Sequence, residues 1–238
     1  MDRRQFLIGA AAAAPLVSRS AARAADAGAQ DAELKTLLDG FWSADLDASP
    51  QMATERGLDV GARAGQRAKL DDLSRAGREA WIAARRERLA ALARIAPERL
   101  SPAARVDHEV TTYTYRRIVD GGSKYDFGEG PTGFRFAPYS PYVVSQLTGA
   151  YQSVPDFLSS RHPIQTADDA EACLTRLQAY ATTLDANTAA LSIDAAKGVL
   201  APDFALDAAL AQLRRQRAPA AADASVTRSI AARAAKAG

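Results

Sequence analysis

The chain has one cysteine, Cys173, so no internal disulfide can form and none staples the fold. It has two histidines, His108 and His162, far apart in sequence and in no metal-ligand pair. Long hydrophobic runs are also missing. The longest apolar stretch lies at the amino terminus, residues 6–17, and is rich in alanine. A membrane-spanning helix needs about 20 apolar residues, so this stretch does not span. Nothing resembles a phosphate-cradling glycine loop, a Gly-x-Ser-x-Gly nucleophile elbow or a dinucleotide fingerprint. Gly128-Glu129-Gly130 lacks the flanking strand and helix that such motifs need. The paired carboxylates Asp168-Asp169 are explained by helix capping. Charge of one sign is absent as well: the formal net charge is +2. Nothing in that balance points to nucleic acid.

What is present begins with an export signal. Arg3-Arg4-Gln5-Phe6-Leu7 has the twin-arginine spacing, followed by an apolar h-region and a small-x-small cleavage site at Ala22-Arg23-Ala24. Ile8 stands where this signal usually has lysine. Arg3, Arg4, Phe6, Leu7, Ala22 and Ala24 are thus signal residues, and residues 1–24 form a removable segment. Cleavage after Ala24 takes away four arginines and one aspartate, moving the formal charge from +2 to −1. No cysteine follows the h-region, so no lipid anchor is expected. The expected location is the periplasm or the medium, with the twin-arginine translocase as a transient partner and no stable membrane anchor.

The rest of the chain is alanine-rich, with apolar residues recurring every three or four positions, and the pattern predicts an all-α fold. A helix over 31–48 carries Leu34, Leu37, Leu38, Phe41, Trp42 and Leu46. A short helix follows Ser49-Pro50, and glycines 57, 61 and 65 read as an open polar connection. A helix over 74–96 places Trp81, Leu89, Leu92 and Ile95 inward, with Arg78, Arg85, Arg86, Glu87 and Arg88 on a solvated face. Ser101-Pro102 starts the next helix, in which Val106, Val110, Tyr113 and Arg117 recur at helical spacing, and Asp120-Gly121-Gly122 stops it. Residues 121–149 are rich in Gly, Pro, Tyr and Phe and read as a long ordered loop. Phe134, Arg135, Phe136, Tyr139, Tyr142 and Gln146 are the candidate cleft-lining residues. A packed loop explains them equally well. After a short helix at 154–158, Thr166-Ala167-Asp168-Asp169 resembles a capping box. Ala170, Leu174, Leu177, Ala181, Leu184 and Leu191 then mark a long amphipathic helix. Cys173 falls on its apolar side, where a buried thiol is expected. A last helix starts at Pro202-Asp203. Residues 25–217 form one helical domain, and residues 218–238, about half alanine, read as a disordered or truncated tail.

His108-Glu109 supplies the first two letters of a His-Glu-x-x-His zinc site, but Thr112 stands where the second imidazole belongs. A surface or half-buried histidine beside Asp107 is the expectation for His108, and packing or capping for His162. No catalytic and no metal-binding residue is assigned.

Three stretches resemble one family. They are Phe41-Trp42 with Ser49-Pro50 and Ala53-Thr54; Leu100-Ser101-Pro102-Ala103-Ala104-Arg105-Val106-Asp107; and Pro141-Tyr142-Val143-Val144-Ser145-Gln146-Leu147-Thr148-Gly149 with Gln152-Ser153-Val154-Pro155-Asp156-Phe157-Leu158, His162-Pro163, Thr166 to Glu171 and Arg176-Leu177. In this order they are similar to the amino-terminal portion of the bacterial exported proteins called domain of unknown function 885. The resemblance implies a helical, zinc-dependent peptidase-like protein, more than twice this length, whose metal-binding region lies in the carboxy-terminal half. It therefore carries no metal ligand or general base onto any residue here, and zinc is expected only for a full-length member. It implies that the 142–149 loop walls a substrate cleft. The expected function is an amino-terminal part of a metallopeptidase-like hydrolase, inactive alone, whose partners are a carboxy-terminal half or a peptide substrate. The alternative is a stand-alone periplasmic binding or scaffold protein.

Overall fold

The computed structural model describes residues 14–128 and 140–237, with side chains from residue 28 onward. The expected signal residues Arg3, Arg4, Phe6 and Leu7, and the candidate cleft residues Phe134, Arg135, Phe136 and Tyr139, lie outside the described residues. Ala22 and Ala24 fall within a helix, but their side chains are not described.

Every regular element among the described residues is helical. In chain order they are α1 (Ala14–Ala48), α2 (Pro50–Glu55), a 3-10 segment (Gly61–Ala68), α3 (Arg75–Leu92), α4 (Pro102–Lys124), α5 (Ala150–Ser160), α6 (Ala167–Ala196), α7 (Asp203–Arg217) and α8 (Ser225–Ala237). The starts are capped as the sequence predicts. The Met52 N–H donates to Ser49 Oγ (3.4 Å), that of Gly77 to Ser74 Oγ (3.1 Å) and that of Ala104 to Ser101 Oγ (3.3 Å). At α6 the capping box is complete: Asp169 N donates to Thr166 Oγ1, and Thr166 N to Asp169 Oδ2.

The chain divides into two compact units. One comprises Met1–Trp42 and Arg85–Arg117, and its core is Leu34, Leu92, Ile95 and Leu100, flanked by Leu37, Leu38, Phe41, Ala104 and Tyr115. The other comprises Ser43–Ala84 and Ile118–Gly238. Its core is built on α5: Ala150, Val154, Phe157 and Leu158 meet Ile164, Cys173 and, from α8, Ile230. Cys173 is fully buried, and burial pushes its thiol pKa up, which keeps it protonated and inert.

Five expectations are corrected. Arg85 and Arg88 on α3 are buried, not solvated. Arg88 stacks over Phe41 (5.1 Å) and Tyr115 (5.7 Å) and Arg85 over Tyr115 (5.9 Å), because a guanidinium is weakly hydrated and packs flat on aromatic faces. The connection after Gly57 is not open: Gly61–Ala68 forms the 3-10 segment that carries Arg67 inward. Asp120-Gly121-Gly122 does not stop α4, which runs on to Lys124. The apolar stripe of α6 is only half right: Ala170, Leu177 and Leu184 pack on the core, but Leu174, Ala181 and Leu191 are exposed, and the buried positions include Asp169, Arg176, Thr183, Asn187 and Asp194. The tail is no loose end either. α8 seats Ile230 in the α5 core, and Arg233 donates to the carbonyls of His162 (2.5 Å) and Leu158.

Candidate functional site

The polar inner face of α6 is the feature around which the larger unit is organised. An α-helix returns to nearly the same face after four or seven residues, and Asp169, Arg176, Thr183, Asn187 and Asp194 follow at intervals of seven, seven, four and seven. Each buried polar group must find a partner or lose about 1–3 kcal/mol. The partners lie on the irregular segments, and these bonds fix the candidate loop in place.

At the carboxy-terminal end, Asp194 Oδ2 accepts the Gly128 N–H (2.8 Å), and one heptad earlier Asn187 Oδ1 accepts the Ala150 N–H (2.7 Å). Gly128 ends the chain leaving α4 and Ala150 begins α5, so α6 holds both ends of the 128–150 stretch. Gly128 has φ of +80°, and a Cβ there would collide with the backbone of Ser140 and Pro141, so only glycine fits. The neck is tied again from outside. Asp126 accepts from Arg75 (2.7 Å) and Lys197 (2.9 Å), which hold its carboxyl below the usual carboxylate range.

From Ser140 onward the loop is described in full. The Tyr142 carbonyl accepts from Ser140 Oγ (3.0 Å) and Thr148 Oγ1 (3.1 Å), and the Ser145 and Thr148 hydroxyls pair at 2.9 Å. The Gln146 carbonyl accepts from Gln152 Nε2 (2.6 Å) and Gln212 Nε2 (3.3 Å). Tyr151 Oη lies 2.7 Å from the Ser145 carbonyl and 2.6 Å from Gln212 Oε1, and it accepts from Gln152 Nε2 (2.8 Å). Its single proton serves one acceptor at a time, and burial pushes its pKa up, so it stays a neutral donor. Of the six predicted cleft residues, Tyr142 and Gln146 are described. Both enter this network through their main-chain carbonyls rather than their side chains. Leu147, at the tip, stands exposed. Among the described residues, the Ser145 and Thr148 hydroxyls bond to each other, to the Leu147 N–H and to the Tyr142 carbonyl, with no histidine or carboxylate beside them. What the arrangement offers is a set of hydrogen-bonding positions.

At the amino-terminal end of α6 lies a buried cation. Arg176 has no exposed surface. Its Nε donates to Lys69 O (2.7 Å). One terminal nitrogen donates to Pro50 O, Gln66 O and Thr54 Oγ1 (2.8 Å), and the other to His162 Nδ1 (2.7 Å). It also stacks over Phe157 at 4.8 Å. Burial lowers its pKa from the usual 12.5 to about 10. Beside it, Arg67 bridges two buried carboxylates, pairing with both oxygens of Asp59 (2.9 Å each) and with Asp169 Oδ1 (2.6 Å). The Arg67 hydrogen bonds hold Asp59 below the usual range.

His162 is neutral by geometry. A guanidinium has no lone pair to offer, so His162 Nδ1 must accept from Arg176, and Nε2–H then donates to the Asp169 carbonyl (2.9 Å). Burial pushes its pKa down in the same direction. The packing expectation for His162 holds. His108, expected at or near the surface, is buried, with Nε2 at 3.0 Å from the Leu92 carbonyl.

These residues do not fit a zinc site. Both His162 nitrogens are committed, His108 Nε2 is bound to a carbonyl, and Cys173 is a core thiol. No three His, Cys, Asp or Glu side chains cluster as metal ligands among the described residues.

Residues 50–238 match the bacterial proteins of unknown function DUF885. The chain belongs to the DUF885 family. No curated protein matches the chain. A solved structure with similar architecture is a Colwellia psychrerythraea protein described as a lipoprotein. It has a TM-score of 0.65 and 17% identity, and covers 87% of this chain and 38% of the Colwellia chain. At that identity the likeness shows the helical fold. The DUF885 chain described here spans well under half the length of that neighbour.

Of the residues that organise the site, Arg176 appears in the sequence only as part of a family-like stretch, without a role, and Arg67, Asp59, Asn187, Asp194, Tyr151 and Gln212 are not singled out there. The available signal was the repeat of polar residues along α6, which a search for apolar stripes passes over.

Proposed function

We propose that this chain is the amino-terminal helical lobe of an exported, metallopeptidase-like hydrolase, supplying a polar wall and not the catalytic groups. Coverage carries this reading: a DUF885-like fold occupies most of this chain but only 38% of its solved neighbour. The loop at 140–149 supports it, because its carbonyls and hydroxyls are held rigidly and no nucleophile or base is among them. Zinc, if the longer relatives use it, is then bound by residues other than those described. For export, the neighbour is described as a lipoprotein, and no described helix is long and apolar enough to cross a membrane. The twin-arginine pair, Arg3 and Arg4, specifies the route.

The test has two parts. The DNA immediately downstream is read in all frames for a metal-binding segment, and that segment is expressed separately. Hydrolysis of a peptide library is expected only when both pieces are mixed with zinc. One tightly held zinc per chain after dialysis of the chain alone, lost in His108→Ala, would overturn the reading.

The second reading is a stand-alone binding or scaffold protein. It is favoured by an open groove of about 750 Å³ on the smaller unit, where Leu37, Phe41, Ala91 and Ile95 form an apolar floor between Glu33 and Arg94. Gly40 lines it with open space where a Cβ would go. Binding of an amphipathic peptide, abolished by Gly40→Trp, together with an unrelated downstream gene, would favour this reading.

A further inference from the structure

α4 turns its inner face to the smaller unit's core through Ala104 and Tyr115, with His108 bonded to Leu92 O. The opposite face is apolar and bare. Val106 is 57% exposed, Val110 58% and Tyr113 66%, and with Arg117 they make a stripe at i, i+4, i+7 and i+11. Single exposed apolar residues are ordinary, but three in a row along a helix mark a contact face.

The face is self-complementary. Val106 and Arg117, and likewise Val110 and Tyr113, are placed symmetrically about the midpoint between Thr111 and Thr112. The charges flanking the stripe are polarised along the helix axis, with Asp107 on one flank and Glu109 and Arg116 on the other. Asp107 and Glu109 lie toward the amino-terminal end, Arg116 and Arg117 toward the carboxy-terminal end. All four are exposed, and none makes an ion pair among the described residues. A helix with this pattern meets a copy of itself best when antiparallel. Val110 then faces the partner's Tyr113, the Arg117 stem covers the partner's Val106, and Glu109 reaches the partner's Arg116. Asp107 lies beside the partner's Arg117, and the two-fold axis makes each contact twice. A parallel copy would stack acid on acid and base on base.

We propose that α4 is an isologous, antiparallel dimer interface for a second copy of this chain. Two-fold interfaces of this kind are the commonest in soluble oligomers. One helix pair buries less than the roughly 1,200 Å² of a standard interface, so the dimer is concentration-dependent.

Sedimentation equilibrium of the full chain tests this. A monomer–dimer equilibrium is expected, lost in Val110→Asp and in Tyr113→Asp, with unchanged far-UV circular dichroism showing that both variants fold. Glu109→Arg should weaken association by about tenfold at low salt, and adding Arg116→Glu in the same chain should restore it. A mixture of Val110→Cys and Tyr113→Cys chains should form the mixed disulfide in excess over either homodisulfide. A strictly monomeric chain overturns the proposal and leaves the stripe to another occupant, such as further chain of the longer relatives. A dimer indifferent to Val110→Asp, or a charge swap that fails to restore association, also overturns it.

Discussion

Arg176 sets the residue scale. A fully buried guanidinium is tolerated because carbonyls, a hydroxyl and an imidazole lone pair satisfy its donors. Arg176→Met would leave those acceptors without a donor and should cost about 3 kcal/mol or more in chemical denaturation. Arg176→Lys should recover only part of that, since one ammonium cannot reach partners spread around a planar fork. His162 makes the region acid-sensitive. Its pKa is lower folded than unfolded, so the unfolded chain takes up a proton that the folded chain refuses. Stability is therefore full above the ordinary histidine pKa of about 6.5 and falls as pH drops below it. Denaturation midpoints measured across that range should show this slope, and His162→Gln should flatten it. The depressed pKa values of Asp59 and Asp169 add a further loss at more acidic pH, below about 4. None of this was legible from His162-Pro163 alone, because the Arg176 guanidinium that fixes its tautomer is itself held by Thr54, Gln66 and Lys69, each more than a hundred residues from Arg176.

At the scale of elements, the helices and their caps were readable, and the faces of two of them were not. Alanine-rich stretches with Ser, Thr and Pro at their starts predict where helices begin, since capping is local. The inward face is a tertiary property. On α3, arginines point inward because Phe41 and Tyr115 provide flat surfaces, and on α6 polar residues do so because irregular segments offer backbone groups to bond. α5 forms where a short helix is expected, but runs longer than 154–158, from Ala150 to Ser160. Leu158, fully buried there, should lose about 2–5 kcal/mol when changed to alanine, read from thermal or urea unfolding. Gly128→Ala should lower stability and release the neck at Ser140–Pro141, visible as faster hydrogen exchange at the Gly128 and Ala150 amides. Asp194→Ala should accelerate exchange at Gly128 while leaving Ala150, held by Asn187, protected. If both amides respond together, the two anchors are not independent.

For the whole molecule, family membership and an all-helical architecture were within reach of the sequence, and the chemistry was not. The motifs carrying the resemblance turn out to be structural. Ser49 and Thr54 serve the α2 cap and the Arg176 shell, and the Ser145–Thr148 pair shapes a loop. Such motifs identify a fold and say nothing of a reaction. At this scale the export signal is also tested. Changing Arg3 and Arg4 together to lysine should leave unprocessed precursor in the cytoplasm, judged by fractionation and mass. Processing unchanged in that variant, or in a strain lacking the twin-arginine translocase, would remove the route from the proposal.

The Arg176 contacts also impose a timetable. Its bonds to Pro50, Gln66 and Lys69 span 126, 110 and 107 positions of sequence. Closing loops of that length precedes the reward, and folds rich in such contacts assemble slowly. During synthesis, residues 50–69 leave the ribosome long before their cation does, at about 5–20 residues per second. Until α6 arrives, the carbonyls and hydroxyl that will surround Arg176 have only water and local partners, such as the Thr54 hydroxyl with Asp59 and Pro50 and the Lys69 N–H with Gln66 O. The larger unit must therefore fold after translation has passed α6, with α8 closing behind it. A translocation system that accepts only folded cargo would suit a chain whose order is set so late.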